Sequence, residues 1–362
     1  DVELTVDGEV RDTRADLDLD AGETAAVDLA FNASNVSAAD VPYDVGTDNE
    51  SVGGTITVAN ADPGTAEIAS VTVRNDTVEQ GADLLVNATV ENTGDLSATG
   101  ETVTLNYTAA DGVEDAVEIE RLSPGATQRV VLSVSPPAEP RAGAFDRDVA
   151  VSTNDTTVNR TVPVDFGGIQ SGVAAAAEDE TVLIADGTYE ERNAIEIDTD
   201  GAGLAAADAG SPPTITSPRR AAVALEVTAE DVTVSNLRFE GDGSGTAVVL
   251  DGDNATLRNV RVRSWATGVD EASGTNRIVG GSVVDTGTGI ALTGSGDTRV
   301  EFTRVARADT QGIRVTSPEN TLLGVSALSS TIGIDISGPA AEDNRVEQSI
   351  VRGNDDVGVR VA

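Results

Sequence analysis

The sequence has no cysteine, methionine or histidine, and its 23 basic residues are all arginine, so lysine is missing too. Without cysteine there is no disulfide framework, no thiol catalysis and no cysteine-ligated metal. Aromatics make up only 2% of the chain, so an apolar interior has to be built from Val, Ala, Leu and Ile. No apolar run approaches the roughly 18 residues that span a bilayer, which excludes direct membrane insertion of this segment. No signal peptide is present and the first residue is Asp1, as expected of a processed or trimmed product.

Acid is abundant. The 362 residues carry 62 Asp and Glu, for a net charge of −39. Nucleic acid and anionic membrane are polyanions, so this acidity argues against both as partners. Disorder is the bland alternative for an acidic, aromatic-poor chain, but a repeat outweighs it. Between Ala247 and Val361 the phrase Gly, aliphatic, any residue, aliphatic recurs in steps of 21 to 25 residues. It reads Gly268-Val269-Asp270, Gly289-Ile290-Ala291-Leu292, Gly312-Ile313-Arg314-Val315, Gly333-Ile334-Asp335-Ile336 and Gly358-Val359-Arg360-Val361, with Ala247-Val248-Val249-Leu250 one period earlier. A second phrase opens on Asp231, Asn254, Asn276, Asp297, Asn320 and Asn344.

Short β-branched strands and small polar turns at such a period predict a parallel β-solenoid, because one coil cannot bury its own apolar face and stacked coils can. The repeated glycine is expected to turn a corner that a Cβ would obstruct, and the Asp/Asn column to ladder from coil to coil. The residue between the aliphatics should face outward: Val249, Asp270, Ala291, Arg314, Asp335, Arg360.

Upstream, seven alternating strands are predicted at Ile68–Val73, Leu84–Val90, Val103–Tyr107, Ala116–Glu120, Val130–Val134, Asp148–Ser152 and Val158–Val164. Turns fall at Ala109-Ala110-Asp111-Gly112, Ser123-Pro124-Gly125 and Pro136-Pro137. Seven strands in about 100 residues is a sandwich pattern. Residues 1–63 repeat the back portion of that module: Leu19-Asp20-Ala21-Gly22-Glu23-Thr24 matches Leu122-Ser123-Pro124-Gly125-Ala126-Thr127, and Gly54–Val58 matches Arg160–Val164. Nothing before Asp1 corresponds to the first two strands, Glu67–Gly100, so the first module is expected to be incomplete. Either the chain is cut there, or another segment or copy supplies the strands by β-augmentation.

The phrases Val90-Glu91-Asn92-Thr93-Gly94 and Leu122-Ser123-Pro124-Gly125 resemble the CARDB group of immunoglobulin-like domains, which implies adhesion-related surface modules without catalytic residues. After them, Ile169, Val173, Ala176 and Ala177 fall at helical spacing ahead of Thr181–Ala185 and Asp186-Gly187-Thr188-Tyr189-Glu190. This run resembles the first coil of right-handed β-helix proteins of the pectate-lyase-like, NosD-like superfamily. It implies a right-handed parallel β-helix over 167–362, its open end capped by a short helix. The expected fold is all-β: an incomplete immunoglobulin-like β-sandwich (1–63), a complete one (64–166) and a right-handed parallel β-helix solenoid (167–362). Acid excess, absent lysine and Ala/Val-rich cores also resemble proteins of halophilic archaea, whose molar salt shortens the Debye length to roughly 3 Å and relieves self-repulsion.

Enzymes with this resemblance act on acidic polysaccharides or glycosides. Lyases need a base beside Ca²⁺-binding carboxylates, and hydrolases two or three Asp/Glu within about 10 Å. The outward carboxylates Asp270, Glu271, Asp285, Asp309 and Asp335 share no column on neighbouring coils apart from Asp/Arg alternations, so no catalytic, cofactor or metal residue is assigned. Arg258, Arg261 and Arg263 beside Trp265 read either as a sugar-binding face with an aromatic platform or as a solvated strand, and the solvated strand is favoured. Asp198-Thr199-Asp200-Gly201 and Asp251-Gly252-Asp253-Asn254 look like fragments of Ca²⁺ loops but do not continue to the closing Glu. Asn-x-Ser/Thr sequons bunch at Asn32, Asn35, Asn49, Asn75, Asn87, Asn106, Asn154 and Asn159, with a ninth at Asn254; the first eight are expected to be glycosylated. Together these features predict an extracellular structural or adhesion glycoprotein of the cell surface, part of a filament or array. The alternative is a polysaccharide-binding or polysaccharide-degrading β-helix protein. Partners are then copies of itself, other surface glycoproteins or a polysaccharide.

Overall fold

The computed structural model describes residues 1–108, 113–217 and 222–362; the expected turn at 109–112 lies outside them. Among the described residues the chain is all-β apart from one short α-helix and one 3-10 turn, with sandwich-like sheets followed by a right-handed solenoid of about eight turns.

The first sheet is antiparallel in the order β2-β1-β3-β4, from β1 (Val2–Val6), β2 (Glu9–Arg14), β3 (Ala39–Gly46) and β4 (Ser51–Val58). Nine further strands follow: β5 (Ala66–Val73), β6 (Val78–Glu79), β7 (Leu84–Asn92), β8 (Ala98–Tyr107), β9 (Val113–Leu122), β10 (Thr127–Val134), β11 (Arg141–Ala142), β12 (Ala144–Ser152) and β13 (Thr157–Asp165). They build a β10-β7-β5 sheet facing a β6-β13-β12-β8-β9 sheet, while β11 pairs elsewhere. Strict alternation drives this: Leu84, Val86, Ala88 and Val90 of β7 all point into the shared core. Asn92 follows them inward, and its amide donates to Leu96 O at 2.7 Å and Leu122 O at 2.9 Å while its Oδ1 accepts from Thr65 and Gly94 N–H. The Val90–Gly94 phrase is therefore a buried polar clasp; with every hydrogen-bonding group satisfied, it avoids the roughly 1–3 kcal/mol cost of an orphaned one.

In the solenoid each coil contributes one strand to each of three parallel sheets. The first sheet stacks β11, Thr181–Ile184, Gly203–Ala206 and onward to Arg345–Glu347; the second runs from Thr188–Glu190 to Ile350–Arg352; the third from Ile195–Ile197 to Val357–Val361. Every pairing is parallel, and one continuous apolar core runs from Ile169 to Ile336. Helix α1 (Ile169–Ala175) buries Ile169 and Val173 over the first coil, as the helical spacing predicts.

Most corners carry a residue with positive φ. Before the first sheet these are Asp179, Gly201, Asp231, Asn254, Thr275, Asp297, Glu319 and Asp343. Between first and second sheets they are Asn236, Asn259, Gly280, Phe302, Gly324 and Gln348; after the second, Ser264, Asp285, Arg307, Ser329 and Gly353. This conformation keeps the corner N–H along the solenoid axis, so Asn259 donates to Val279 O at 2.8 Å and Phe302 to Leu323 O at 2.9 Å on the next coil. A non-glycine residue pays about 1–2 kcal/mol for it; each coil repays this by burying several aliphatic side chains at about 1.5–3 kcal/mol each.

Two expectations about the repeat need correction. The Asp/Asn phrase is two neighbouring columns. Asp231, Asn254 and Asp297 hold the left-handed corner, whereas Asn276, Asn320 and Asn344 sit one place further on, beside the strands. There, Asn320 is fully buried, takes Thr298 N–H on its Oδ1 at 3.0 Å and donates to Asn344 Oδ1 at 3.0 Å. Nor does the repeated glycine turn a corner. Gly268, Gly289, Gly312 and Gly333 lie inside third-sheet strands with no positive φ, facing the core. A Cβ on Gly312 would come within 2.6 Å of Gly333 O, and one on Gly333 within 2.6 Å of Val351 Cγ1. Close approach between coils, and not chain reversal, demands glycine there.

The sandwich is tied to the solenoid through β11, whose Arg141 and Ala142 pair with Leu183 and Ile184. Beside β11, Glu139 accepts from Arg141 Nε at 2.9 Å and Arg147 Nε at 3.2 Å, and from the Tyr107 hydroxyl at 3.3 Å. Burial opposes ionisation of Glu139, but the hydrogen bonds and charges of Arg147 and Arg141 outweigh it and hold the carboxyl below its ordinary range. Burial, then the Glu139 charge, pushes Tyr107 up to about 12.

Replacing Gly312 by Ala should lower the solenoid's stability by about 1–3 kcal/mol, read as a drop in denaturant midpoint at constant m-value. A midpoint equal to wild type would contradict the close-approach account.

Candidate functional site

Several charges on the solenoid surface pair off, mostly between coils. Asp335 points outward, as the pattern predicts, yet is covered by Arg360, whose Nε donates to Oδ1 at 2.8 Å and which holds the carboxyl below its ordinary range. Asp285 is gripped by Arg263 at 3.2 Å and Arg307 at 2.5 Å. Glu301 is shared by Arg277 at 2.5 Å and Arg299 at 3.2 Å.

The second sheet, which also holds the Asp285 pairs, carries a column outside this pattern. Its outward column runs Thr214, Arg238, Arg261, Ser282, Arg304, Ser326 in register. Arg238 and Arg261 are therefore direct neighbours about 4.8 Å apart along the axis. All three arginines are exposed, and none joins an ion pair among the described residues. Arg238, Glu240, Arg261, Arg263 and Ser282 line a shallow groove of about 270 Å³. In a chain this acidic, two unpartnered arginines on adjacent coils are a standing repulsion with an evident outlet, an external anion.

Phe302 lies in the corner beside this column. Its φ is 51°, unfavourable for a bulky side chain, and it is 64% exposed. Glycines precede and follow it in the corner column, and a Cβ on Gly324 would come within 2.7 Å of the ring. The ring thus rests on bare backbone with its other side in solvent. Trp265, the platform of the less favoured sugar-face reading, is buried in the core and cannot serve as one. Arg258 faces out from the first sheet, on a different face from Arg261 and Arg263. Sequence reasoning missed Phe302, Arg238 and Arg304; aligning coils by their left-handed corners would have placed all three on one strip.

Two further carboxylate sites differ from expectation. Glu196 and Glu226 do share a column on neighbouring coils, in a recess of about 670 Å³ lined also by Gln170, Arg192 and Asn193. The step from Glu196 to Glu226 is 30 residues, longer than in the later coils, and this hides them from the period. Glu271 faces inward, in a column with Leu250 and Leu292. It is fully buried; Oε1 accepts from Asn276 Nδ2 at 3.2 Å, while Oε2 and the Thr298 hydroxyl have no hydrogen-bond partner. Burial pushes its carboxyl above the ordinary range.

Asp200 accepts the Glu230 N–H at 3.0 Å, and Asn254 is exposed with its amide donated to Asp231, so these acidic loops serve as corner turns. Among the described residues no group of three His, Cys, Asp or Glu is placed to hold a metal ion. Of the sequons, Asn32, Asn49, Asn75, Asn154 and Asn159 are exposed, Asn87 and Asn106 lie half-buried in β7 and β8, and the Asn35 side chain lies outside the description.

The right handed beta helix region family matches residues 222–362. No curated protein matches the chain. Among solved structures, a pectin methylesterase in complex with hexasaccharide VII shares 14% identity over 54% of this chain and 89% of its own, at a TM-score of 0.36. The CARDB domain of a Pyrococcus furiosus protein, in complex with di-metal ions, shares 14% identity over 30% of this chain and 97% of its own, at 0.23. An alkylpurine DNA glycosylase of Pseudomonas fluorescens, bound to DNA containing an abasic site analog, shares 15% over 28% of this chain, at 0.23; the matched region spans 30% of that protein.

Glu271 generates a pH prediction. A carboxyl whose folded pKa is raised stabilises the fold only while protonated, so stability falls as pH rises from the unfolded value of about 4.3 through the folded one. In Glu271→Gln the amide oxygen still accepts from Asn276 and the amide N–H reaches the orphaned Thr298 hydroxyl. Denaturation across pH 4–9 should show the variant more stable than wild type at pH 8 by about 1–3 kcal/mol, with a flatter profile. Parallel profiles would contradict this.

Proposed function

We propose that the chain belongs to an extracellular structural and adhesion protein of the surface of a halophilic archaeon. CARDB-type immunoglobulin-like modules at 1–63 and 64–166 hold out the β-helix of 167–362, which grips an anionic polysaccharide along the strip of Arg238, Arg261, Arg304 and Phe302. The observation that carries this reading is the arginine column without carboxylate partners. An acidic sugar chain would lay a carboxylate or sulfate on each guanidinium and stack a ring face on Phe302. Direct ion contacts of this kind persist in molar salt, where long-range attraction is screened. The net charge of −39 supports a high-salt setting, and the exposed sequons on the front modules support a glycosylated surface.

The Glu196–Glu226 recess favours a second reading, in which the rod also cleaves the polymer. Coils about 4.8 Å apart bring two carboxylates near the 5–5.5 Å separation used in retaining glycoside hydrolysis.

Binding to polygalacturonate in molar KCl should weaken at least tenfold in the Arg238→Ala/Arg261→Ala/Arg304→Ala variant, and also in Phe302→Ala, with no binding to neutral dextran. Unchanged binding in both variants, or equal binding to dextran, would sink the strip. New reducing ends with wild type but not Glu226→Gln would establish the second reading. Mass spectrometry of the native protein should find glycan on Asn32, Asn49, Asn75, Asn154 and Asn159; bare asparagines at all five would count against the surface assignment.

A further inference from the structure

Between β4 and β5 the connector 59–65 is pressed onto the turn that follows β7. Thr65 N–H donates to Asn92 Oδ1 at 3.1 Å, and Thr93 N–H donates to Thr65 O at 3.0 Å. Three residues earlier, Asp62 N–H donates to Asp95 Oδ2 at 3.1 Å. Asp62 O in turn accepts two backbone N–H groups, from Asp95 at 3.0 Å and from Leu96 at 3.2 Å. Gly94 is buried beneath the connector, and a Cβ on it would collide with Pro63 O. Asp62 and Pro63 themselves are exposed, and among the described residues the Asp62 carboxyl has no hydrogen-bond partner.

Asp62–Pro63 is the one Asp–Pro bond in the sequence. Its amide is tertiary, with no hydrogen on nitrogen, so once protonated the nitrogen leaves readily as a secondary amine. An unfolded chain offers this bond no fixed hydrogen-bond donors. The fold supplies two, both aimed at the carbonyl oxygen of the residue whose own carboxyl is free to react.

We propose that Asp62–Pro63 is a self-cleavage site, at which mild acid separates the first module from the complete one. The protonated Asp62 carboxyl attacks the carbonyl carbon of its own residue and closes a five-membered ring. Charge developing on Asp62 O meets the Asp95 and Leu96 N–H groups already in place, as in an oxyanion hole. The carboxyl proton passes to the Pro63 nitrogen, the C–N bond breaks and a cyclic anhydride remains. Water, which reaches this exposed connector, opens the anhydride to two carboxyl groups. In sum, one peptide bond and one water are consumed, and one carboxyl and one amine are formed. Asp95 is the titratable group facing the bond; through the Asp62 N–H its carboxyl positions the connector. The proposal does not rest on the glycan strip.

The test is intact-mass analysis of the whole 362-residue chain held in molar KCl at about pH 4, near the ordinary carboxyl value. Fragments 1–62 and 63–362 are expected, together one water heavier than the chain, forming at least tenfold faster than in the same chain unfolded by urea at that pH. Asp62→Ala should abolish cleavage. Gly94→Ala keeps the Asp–Pro bond but dislodges Pro63 O from its seat, and should fall to the urea rate. Absence of fragments, equal rates with and without urea, or wild-type cleavage in Gly94→Ala would overturn the proposal. A chain that unfolds at this pH and is cut at the urea rate fails the test as well, because ordinary acid lability then accounts for the cut.

Discussion

The rear half of this molecule depends on one backbone requirement: at most corners a residue turns left-handed so that its N–H keeps pointing along the stack. The axial hydrogen bond from Asn259 to Val279 O, or from Phe302 to Leu323 O, is what lets the ladder continue round a bend instead of stopping at each strand end. The strain is distributed over many corners and balanced locally by the aliphatic residues each coil buries. Everything else on the rod follows from that register. Because coils stack in file, a residue's neighbours are its counterparts one turn away, and the surface becomes a set of columns. Arg263 and Arg307 converge on Asp285, and Arg277 and Arg299 reach Glu301 from the column beside it; Asp335 with Arg360 is a column in which opposite charges fall together. Arg238 and Arg261 form one in which they do not.

Much of this was legible in the sequence. Glycine before alternating aliphatics marked the third sheet, because from Gly268 to Gly333 inter-coil contact leaves no room for a Cβ, although Ala247 holds the place one coil earlier. The capping helix was legible from Ile169 and Val173, and the sandwich from strict alternation in β7. Corners were only half legible. Asp231, Asn254 and Asp297 are residue types that tolerate positive φ, but Thr275, Glu319, Phe302 and Arg307 carry the same geometry with no chemical signature of it. Stacking imposes the conformation on them from outside. For that reason two adjacent columns, one at the corner and one buried, read as a single Asp/Asn phrase.

The candidate site was less legible, for related reasons. Inward or outward direction is set by register, and Glu271 shows how a charged residue in an aliphatic column misleads: composition says surface, position says core. Trp265 misled in the opposite sense, since an aromatic among arginines suggests a platform while its place past the second sheet puts it in the core. Glu196 and Glu226 were hidden by a long coil, which leaves strand pairing intact and only lengthens the turn. The front of the chain shows the converse. There the half-copy of the sandwich was visible by direct alignment, and the strand order β2-β1-β3-β4 repeats β9-β8-β12-β13.

The stacking itself is open to a direct distance measurement, helped by a chain with no native cysteine to interfere. Spin labels on Thr233→Cys and Arg345→Cys sit five coils apart in the first sheet. Pulsed dipolar spectroscopy in molar KCl should give one narrow distribution centred at about 24 Å, five steps of about 4.8 Å. A broad distribution, or a centre well beyond 35 Å, would mean that the coils do not stack in file.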